Sequence, residues 1–245
     1  GHTSRKKGLE SFLEKYPTTE TPYPLRCPIG RHHPEATDYY ISNLKKVIKK
    51  TGPENIAALI AEPIIGSSGG AITPPLNYWE EAQEILKKND ILLIADEVMT
   101  GFGRIGEKFA CNLYDIKADI LVAGKGMAGG YAAISGTYST DEIVSAIENK
   151  RYEVMFHTFA ALPQSCAASA TVLKILREER LLERVKVQGA KLKEKLISTF
   201  SNHPNVAEIR GEGLLLGIEI LKDKENLIPF DREENITFKI IENSL

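Results

Sequence analysis

The chain has 245 residues, 42 % hydrophobic and 26 % charged, which is the composition of an ordinary globular protein with a sizeable core. Its 33 acidic against 31 basic side chains leave a formal net charge of -2, a balance that gives neither nucleic acid nor an anionic membrane a reason to bind. Three widely spaced cysteines, Cys27, Cys111 and Cys166, form no CxxC pair and indicate a reducing, cytoplasmic compartment rather than disulfides or zinc, and no apolar run has the roughly 18 residues of a spanning helix.

The opening "GHTSRKKGLE" has no signal-peptide core and no initiator methionine, and the closing "ITFKIIENSL" is amphipathic without a stop signal, so both ends read as cut. The first 35 residues, rich in Pro, His and Arg, read as an irregular segment lying on the surface. His32 and His33 stand near Glu35, but a proline follows them and no third ligand is spaced for a tetrahedral site, so no metal is assigned. From Thr37 the apolar residues Tyr40, Ile41, Leu44, Val47 and Ile48 recur at helical spacing, with lysines in the last turns and Gly52 as a stop. "NIAALIAEP" reads as a buried strand. "NYWEEAQEILKKN" reads as a helix with Asn77 as its cap, acidic residues early and lysines late.

"DILLIADEV" is nearly continuous in apolar residues, as strands covered on both faces are, and "ADILVAG" follows as another strand. Strands alternating with helices at these spacings predict right-handed crossovers and an α/β fold with a mainly parallel sheet. "YAAISGTYS" reads as a further strand. Helices are predicted from Thr140 to about Lys150, Pro163 to Glu179 and Leu181 to Phe200, and "NVAEIRGEGLLLGIEIL" reads as two strands around a glycine turn. The boundary falls near residue 203, giving a large domain over 1–203 and the start of a smaller one over 204–245.

Ligands gather at the carboxyl ends of strands in open parallel sheets. Two residues stand there: Asp96, closing "ILLIAD", and Lys125, just past "DILVAG" among glycines. The bland readings are a carboxylate capping the turn "EVMTGFG" and a lysine pointing into solvent. The chemical reading is pyridoxal phosphate: a carboxylate near the pyridine nitrogen favours the electron-accepting ring, and an amine with a lowered pKa attacks an aldehyde. Gly101, Gly103 and Gly106 also form a literal GxGxxG, the mark of dinucleotide binding. Asp96 and Glu97 directly before it would repel a pyrophosphate, and "EKFACNLYDIK" is a poor helix to receive one, so these glycines are read as a tight loop.

The motifs "AEPIIGSSGG", "ADEVMTGFGRIG", "AGKGMAGGY", "HTFAALPQSCAA" and "RGEGLLLGIEI" occur in the order and approximate spacing of the class III aminotransferases, and the chain resembles that family along essentially its whole length. The resemblance implies the fold type I architecture, a three-layer sandwich, with pyridoxal 5'-phosphate as cofactor. It implies that Lys125 carries the internal aldimine, that Asp96 pairs with the pyridine nitrogen and that Val98 packs against the ring face. Thr158 would reach the cofactor phosphate of a neighbouring subunit, since family members are dimers with shared sites. Its plainer reading is a cap for the helix that follows. The implied reaction passes an amino group from a small-molecule amine or ω-amino acid donor to an oxo-acid acceptor, with the freed lysine as general base and acid.

Three departures from the family pattern refine the expectation. Ser67 replaces a glutamate that serves ornithine- and aminobutyrate-type members as a switch toward a substrate-binding arginine, and Met99 replaces a glutamine that bonds the cofactor's phenolic oxygen. Both remove polar groups near the pocket and favour a pyruvate-type transaminase over a 2-oxoglutarate-dependent one. Leu162 before the proline of the "HTF" motif predicts a poorly capped helix start. The family's phosphate cup and ring-stacking aromatic correspond to positions before Gly1, and its carboxylate-gripping arginine to positions beyond Leu245, so the chain reads as a fragment. A glutamate-semialdehyde-type aminomutase shares these motifs, and an inactive fragment serving as a structural or binding module is the remaining alternative.

Overall fold

The computed structural model describes residues 6–150 and 157–244; residues 1–5 of the opening segment and the terminal Leu245 lie outside them. Helix α1 (Ala36–Thr51) turns Tyr40, Ile41, Leu44 and Ile48 inward, with Lys49 and Lys50 in its last turn where they complement the helix dipole. Strand β1 (Ala58–Ala61), helix α2 (Tyr78–Lys88) and strand β2 (Leu92–Asp96) follow, then the short helix α3 (Ala110–Leu113), strand β3 (Ile120–Ala123) and strand β4 (Gly136–Ser139). The four strands form one sheet in the order β1-β2-β3-β4. The first three are parallel and β4 runs antiparallel to β3, so the sheet is mainly parallel in a mixed α/β fold.

The chain crosses this sheet in one direction, and right-handed crossovers taken in one direction fall on the same face. The packing follows that rule. Trp79, Ala82 and Leu86 of α2 and Ile116 of the β2–β3 connection join α1 and Leu93 in one buried cluster, against which Leu59, Ala61 and Cys111 also pack. Each aliphatic side chain fully buried there contributes about 1.5–3 kcal/mol. The Trp79 indole also donates to the Pro63 carbonyl at 3.1 Å, tying α2 to the segment after β1.

The opposite face is different. Ile60 and Leu92 remain 62 % and 36 % exposed. The expectation that "DILLIADEV" is covered on both faces is therefore corrected: both crossovers spend their bulk on the Leu93 side, while the apolar residues of the other side keep solvent contact.

Helix α4 (Asp141–Asn149) precedes helix α5 (Pro163–Glu178) and helix α6 (Leu181–Phe200), which are joined by Arg180 in the left-handed conformation. Strands β5 (Val206–Glu212) and β6 (Leu215–Ile220) form a separate antiparallel hairpin, and a short helix α7 (Ile236–Glu242) lies near the end. Three further expectations change. "YAAISGTYS" yields a strand only from Gly136, because the chain turns over residues 129–132 instead of extending. Asn77 is left-handed and makes no side-chain cap, so α2 starts without one. Residues 6–35, the described part of the opening segment, are irregular as expected but do not all stay on the surface. Tyr23, Leu25 and Cys27 are buried, and Tyr40 donates its hydroxyl hydrogen to the Tyr23 carbonyl at 2.9 Å. Proline content reports local irregularity and is silent about burial.

Candidate active site

Strands β2 and β3 are parallel neighbours with Asp96 paired to Val122 in register. Asp96 therefore closes one strand, and Lys125 stands three residues past its register partner, opening a 3-10 turn over Lys125–Ala128. The structure thus brings the predicted acid and amine to adjacent carboxyl ends, where open parallel sheets bind ligands. α5 braces the turn from behind, with Ser169 donating to the Met127 carbonyl at 2.9 Å.

Asp96 does part of the capping work its plainer reading assigned: its Oδ1 accepts from the Val98 backbone N–H at 3.1 Å. One oxygen is so occupied. Glu97, the next residue, faces the other way and is 0 % exposed. Its carboxylate accepts from the Thr100 hydroxyl and from the backbone N–H groups of Ala110 at 2.9 Å and Cys111 at 2.7 Å. Those donors pin the start of α3 under β2. Burial, reinforced by the adjacent Glu97 charge, pushes the Cys111 thiol well above its ordinary pKa.

Lys125 is exposed, at a backbone φ of 39°, and its Nζ lies 3.0 Å from Met99 Sδ. A thioether is a weak acceptor that carries no charge, so this contact orients the amine without a counter-ion. Lys125, Val98 and Met99 line a common cavity of about 440 Å³, whose apolar walls include Phe102, Leu181 and Leu214; Asp96 stands beside it at the end of β2 and is not part of its lining. Thr158 is elsewhere. It sits exposed in the turn closed by the Ala160 N–H on the His157 carbonyl at 2.9 Å, and it does not line the cavity. It is not the cap of α5 either: Leu162 holds that position, without a side-chain bond, as its residue type foretells.

The GxGxxG resolves as a loop. Gly103 and Gly106 have φ of 88° and 86°, Phe102 N–H donates to the Lys108 carbonyl at 2.7 Å, and a methyl group at Gly106 would press on Lys186 of α6. The helix behind it has only four residues, too short to hold a pyrophosphate.

Sequence reasoning missed one polar cluster. Arg210 on β5 is buried among Glu208, Glu219 and Tyr23, and Arg26 donates to Glu219 at 2.8 Å. Burial pulls the Glu219 carboxyl up, but the hydrogen bond from Arg26 together with Arg210 and Tyr23 outweighs it and leaves the pKa below the ordinary carboxylate value. The only local signal was an arginine directly after an apolar residue in "AEIRGEG".

Comparisons with known proteins identify the family to which the chain belongs. The model of the family "Aminotransferase class-III" matches residues 2–243, and the chain belongs to that family, whose cofactor is pyridoxal phosphate. An uncharacterized aminotransferase, YodT of Bacillus subtilis (strain 168), is 37 % identical over 245 residues, covering 98 % of this chain and 54 % of that protein. A putrescine–pyruvate aminotransferase of Pseudomonas aeruginosa is 41 % identical over 182 residues, or 74 % of this chain and 40 % of that one. A solved amine transaminase from an uncultivated Pseudomonas species, in its PLP-bound internal aldimine form, superposes with a TM-score of 0.84 at 36 % identity, covering 88 % of this chain and 50 % of that one. The chain spans about half the length of the relatives it matches.

Proposed function

We propose that this chain belongs to a pyridoxal-phosphate-dependent aminotransferase that moves an amino group from an amine or ω-amino acid donor to an oxo acid such as pyruvate. The observation that carries the reading is the placement of Asp96 and Lys125 at the ends of adjacent parallel strands. The residues present fit the cofactor on their chemistry: an amine whose described hydrogen-bond partner is a thioether, a carboxylate with one oxygen taken by the Val98 N–H, and an apolar valine beside the cavity. When bound, pyridoxal phosphate supplies an aldehyde carbon and an electron-accepting ring.

In this reading Lys125 Nζ would anchor the cofactor and, as general base and acid, would hold the proton taken from the substrate carbon and return it. Asp96 would favour the protonated ring nitrogen, and Val98 would exclude water from the bound ring. Thr158 would contribute to the phosphate site of a second subunit in a homodimer. Its exposure away from its own chain's cavity supports that assignment. A cytoplasmic location belongs to the same reading and rests on the three free cysteines among the described residues.

Pyruvate as acceptor is supported by the exposed Ser67, by Met99 beside Lys125, and by the pyruvate-using relative. Acceptors assayed side by side test it: faster turnover with pyruvate is expected, and a strong preference for 2-oxoglutarate rejects it. Net transfer to a separate acceptor also distinguishes this reaction from an intramolecular aminomutase.

A further inference from the structure

The segment after β1 folds into a knot on one carbonyl. Gly69, Gly70 and Ala71 N–H groups all point at the Gly66 carbonyl, at 3.2, 2.8 and 3.3 Å, and Ile65 and Ile72 exchange two backbone bonds of 3.0 Å. Glu62 accepts from the Gly66 N–H at 2.8 Å. A methyl group on Gly66 would collide with Met99, so the knot forms the seat for that side chain, and Met99 Sδ is in turn 3.0 Å from Lys125 Nζ. Whatever holds residues 66–72 therefore bears on the lysine.

Arg210 holds them from the β5–β6 hairpin. It is 6 % exposed, with Nε donating to the Gly70 carbonyl at 2.8 Å and Nη2 to the Gly69 carbonyl at 2.9 Å. Nη1 donates to the Tyr23 hydroxyl at 2.7 Å and to Glu208 at 2.9 Å, while Glu219 lies 3.0 Å from Nη2. The two glutamates suffice to balance the charge. The carbonyl contacts are extra, and only a planar guanidinium can aim donors at two successive carbonyls and a phenol at once. The hairpin also leans on the knot directly, since a methyl group at Gly217 of β6 would strike the Gly70 carbonyl oxygen.

We propose that Arg210 is a positioning residue for the candidate site: by clamping Gly69 and Gly70 it fixes the seat of Met99 and so the place of Lys125 Nζ. The inference rests on the reading of Lys125 given under Proposed function. Arg210→Lys keeps the charge but cannot make both carbonyl bonds, and Gly217→Ala displaces the same loop while leaving the charge cluster intact, which covers the case that the first variant folds poorly.

Two readouts test it. Hydrogen exchange of the protein without cofactor should speed up by about tenfold at Gly70, Ala71 and Ile72 in both variants, the loss of roughly one charge-assisted hydrogen bond, with the α1–α2 core unchanged. In the protein loaded with pyridoxal phosphate, the pH titration of the Lys125 absorbance band should shift by about half a unit or more in both variants. Exchange that stays the same at 66–72, or rises only together with the whole protein, overturns the clamp. A faster loop with an unmoved titration overturns the link to Lys125. If the wild-type protein carries no cofactor on Lys125, the function reading falls and takes that link with it, a result distinct from a loaded wild type whose variants titrate identically.

Discussion

Asp96 and Glu97 are neighbours of the same chemical class, yet they face opposite sides of the sheet. Successive strand residues point to opposite faces, so Asp96 ends the open, partly solvated face that carries Ile60, while Glu97 is sealed under β2 with three donors on it. A partly exposed carboxylate with one oxygen taken is available for chemistry. A fully enclosed one with every donor aimed at it is part of the scaffold, and removing it leaves those donors stranded.

That contrast is sharpest under substitution. On the proposed function, Asp96→Asn should lower amino-transfer turnover by about 10²–10³-fold, the scale of losing one electrostatic stabiliser, while its melting changes by no more than about 1 kcal/mol because the amide oxygen still accepts from Val98. Glu97→Ala should do the reverse. Stranding the Thr100, Ala110 and Cys111 donors costs about 3 kcal/mol or more, measured by denaturant unfolding, and activity should persist in the molecules that remain folded. If Asp96→Asn unfolds the protein or Glu97→Ala leaves its stability intact, the division between the two faces is wrong.

A smaller effect comes from the hairpin cluster. The Glu219 carboxyl is held below its ordinary pKa in the folded state, so its contribution is complete above the unfolded value near 4.5 and is lost as pH falls through the folded one. Stability measured against pH should therefore fall less steeply on the acid side in Glu219→Gln than in the wild type. Smallest of all is a labelling difference: with iodoacetamide at mildly alkaline pH, exposed Cys166 should react well before Cys111, whose thiol is kept protonated by burial and by Glu97. Equal rates would mean that the region around Glu97 opens readily.

Much of this was legible in the sequence, because the strand ends are written locally. An apolar run stopping at Asp96 and another stopping before Lys125 fix two strand ends, and the parallel order of β2 and β3 follows from the intervening crossover. The role of Leu162 as an uncapped helix start was equally local. The Arg210 cluster was not legible, since its members come from Tyr23, Gly69, Gly70 and Glu219, segments separated by most of the chain, and no periodicity records such a meeting. The same limit explains Tyr23 and Leu25: their burial depends on α1 and the hairpin arriving over them, which local proline content does not encode. The open side of β2 failed for a third reason. An apolar run states what a strand tolerates on each face, and the direction of the crossovers decides which face is covered.

The most direct test of the central claim is to load the protein with pyridoxal phosphate, reduce it with borohydride and map the modified peptide by mass spectrometry. The account predicts a pyridoxyl group on Lys125, and a yellow absorbance that is lost in Lys125→Ala. Attachment at a different lysine, or an unchanged absorbance in that variant, would contradict it.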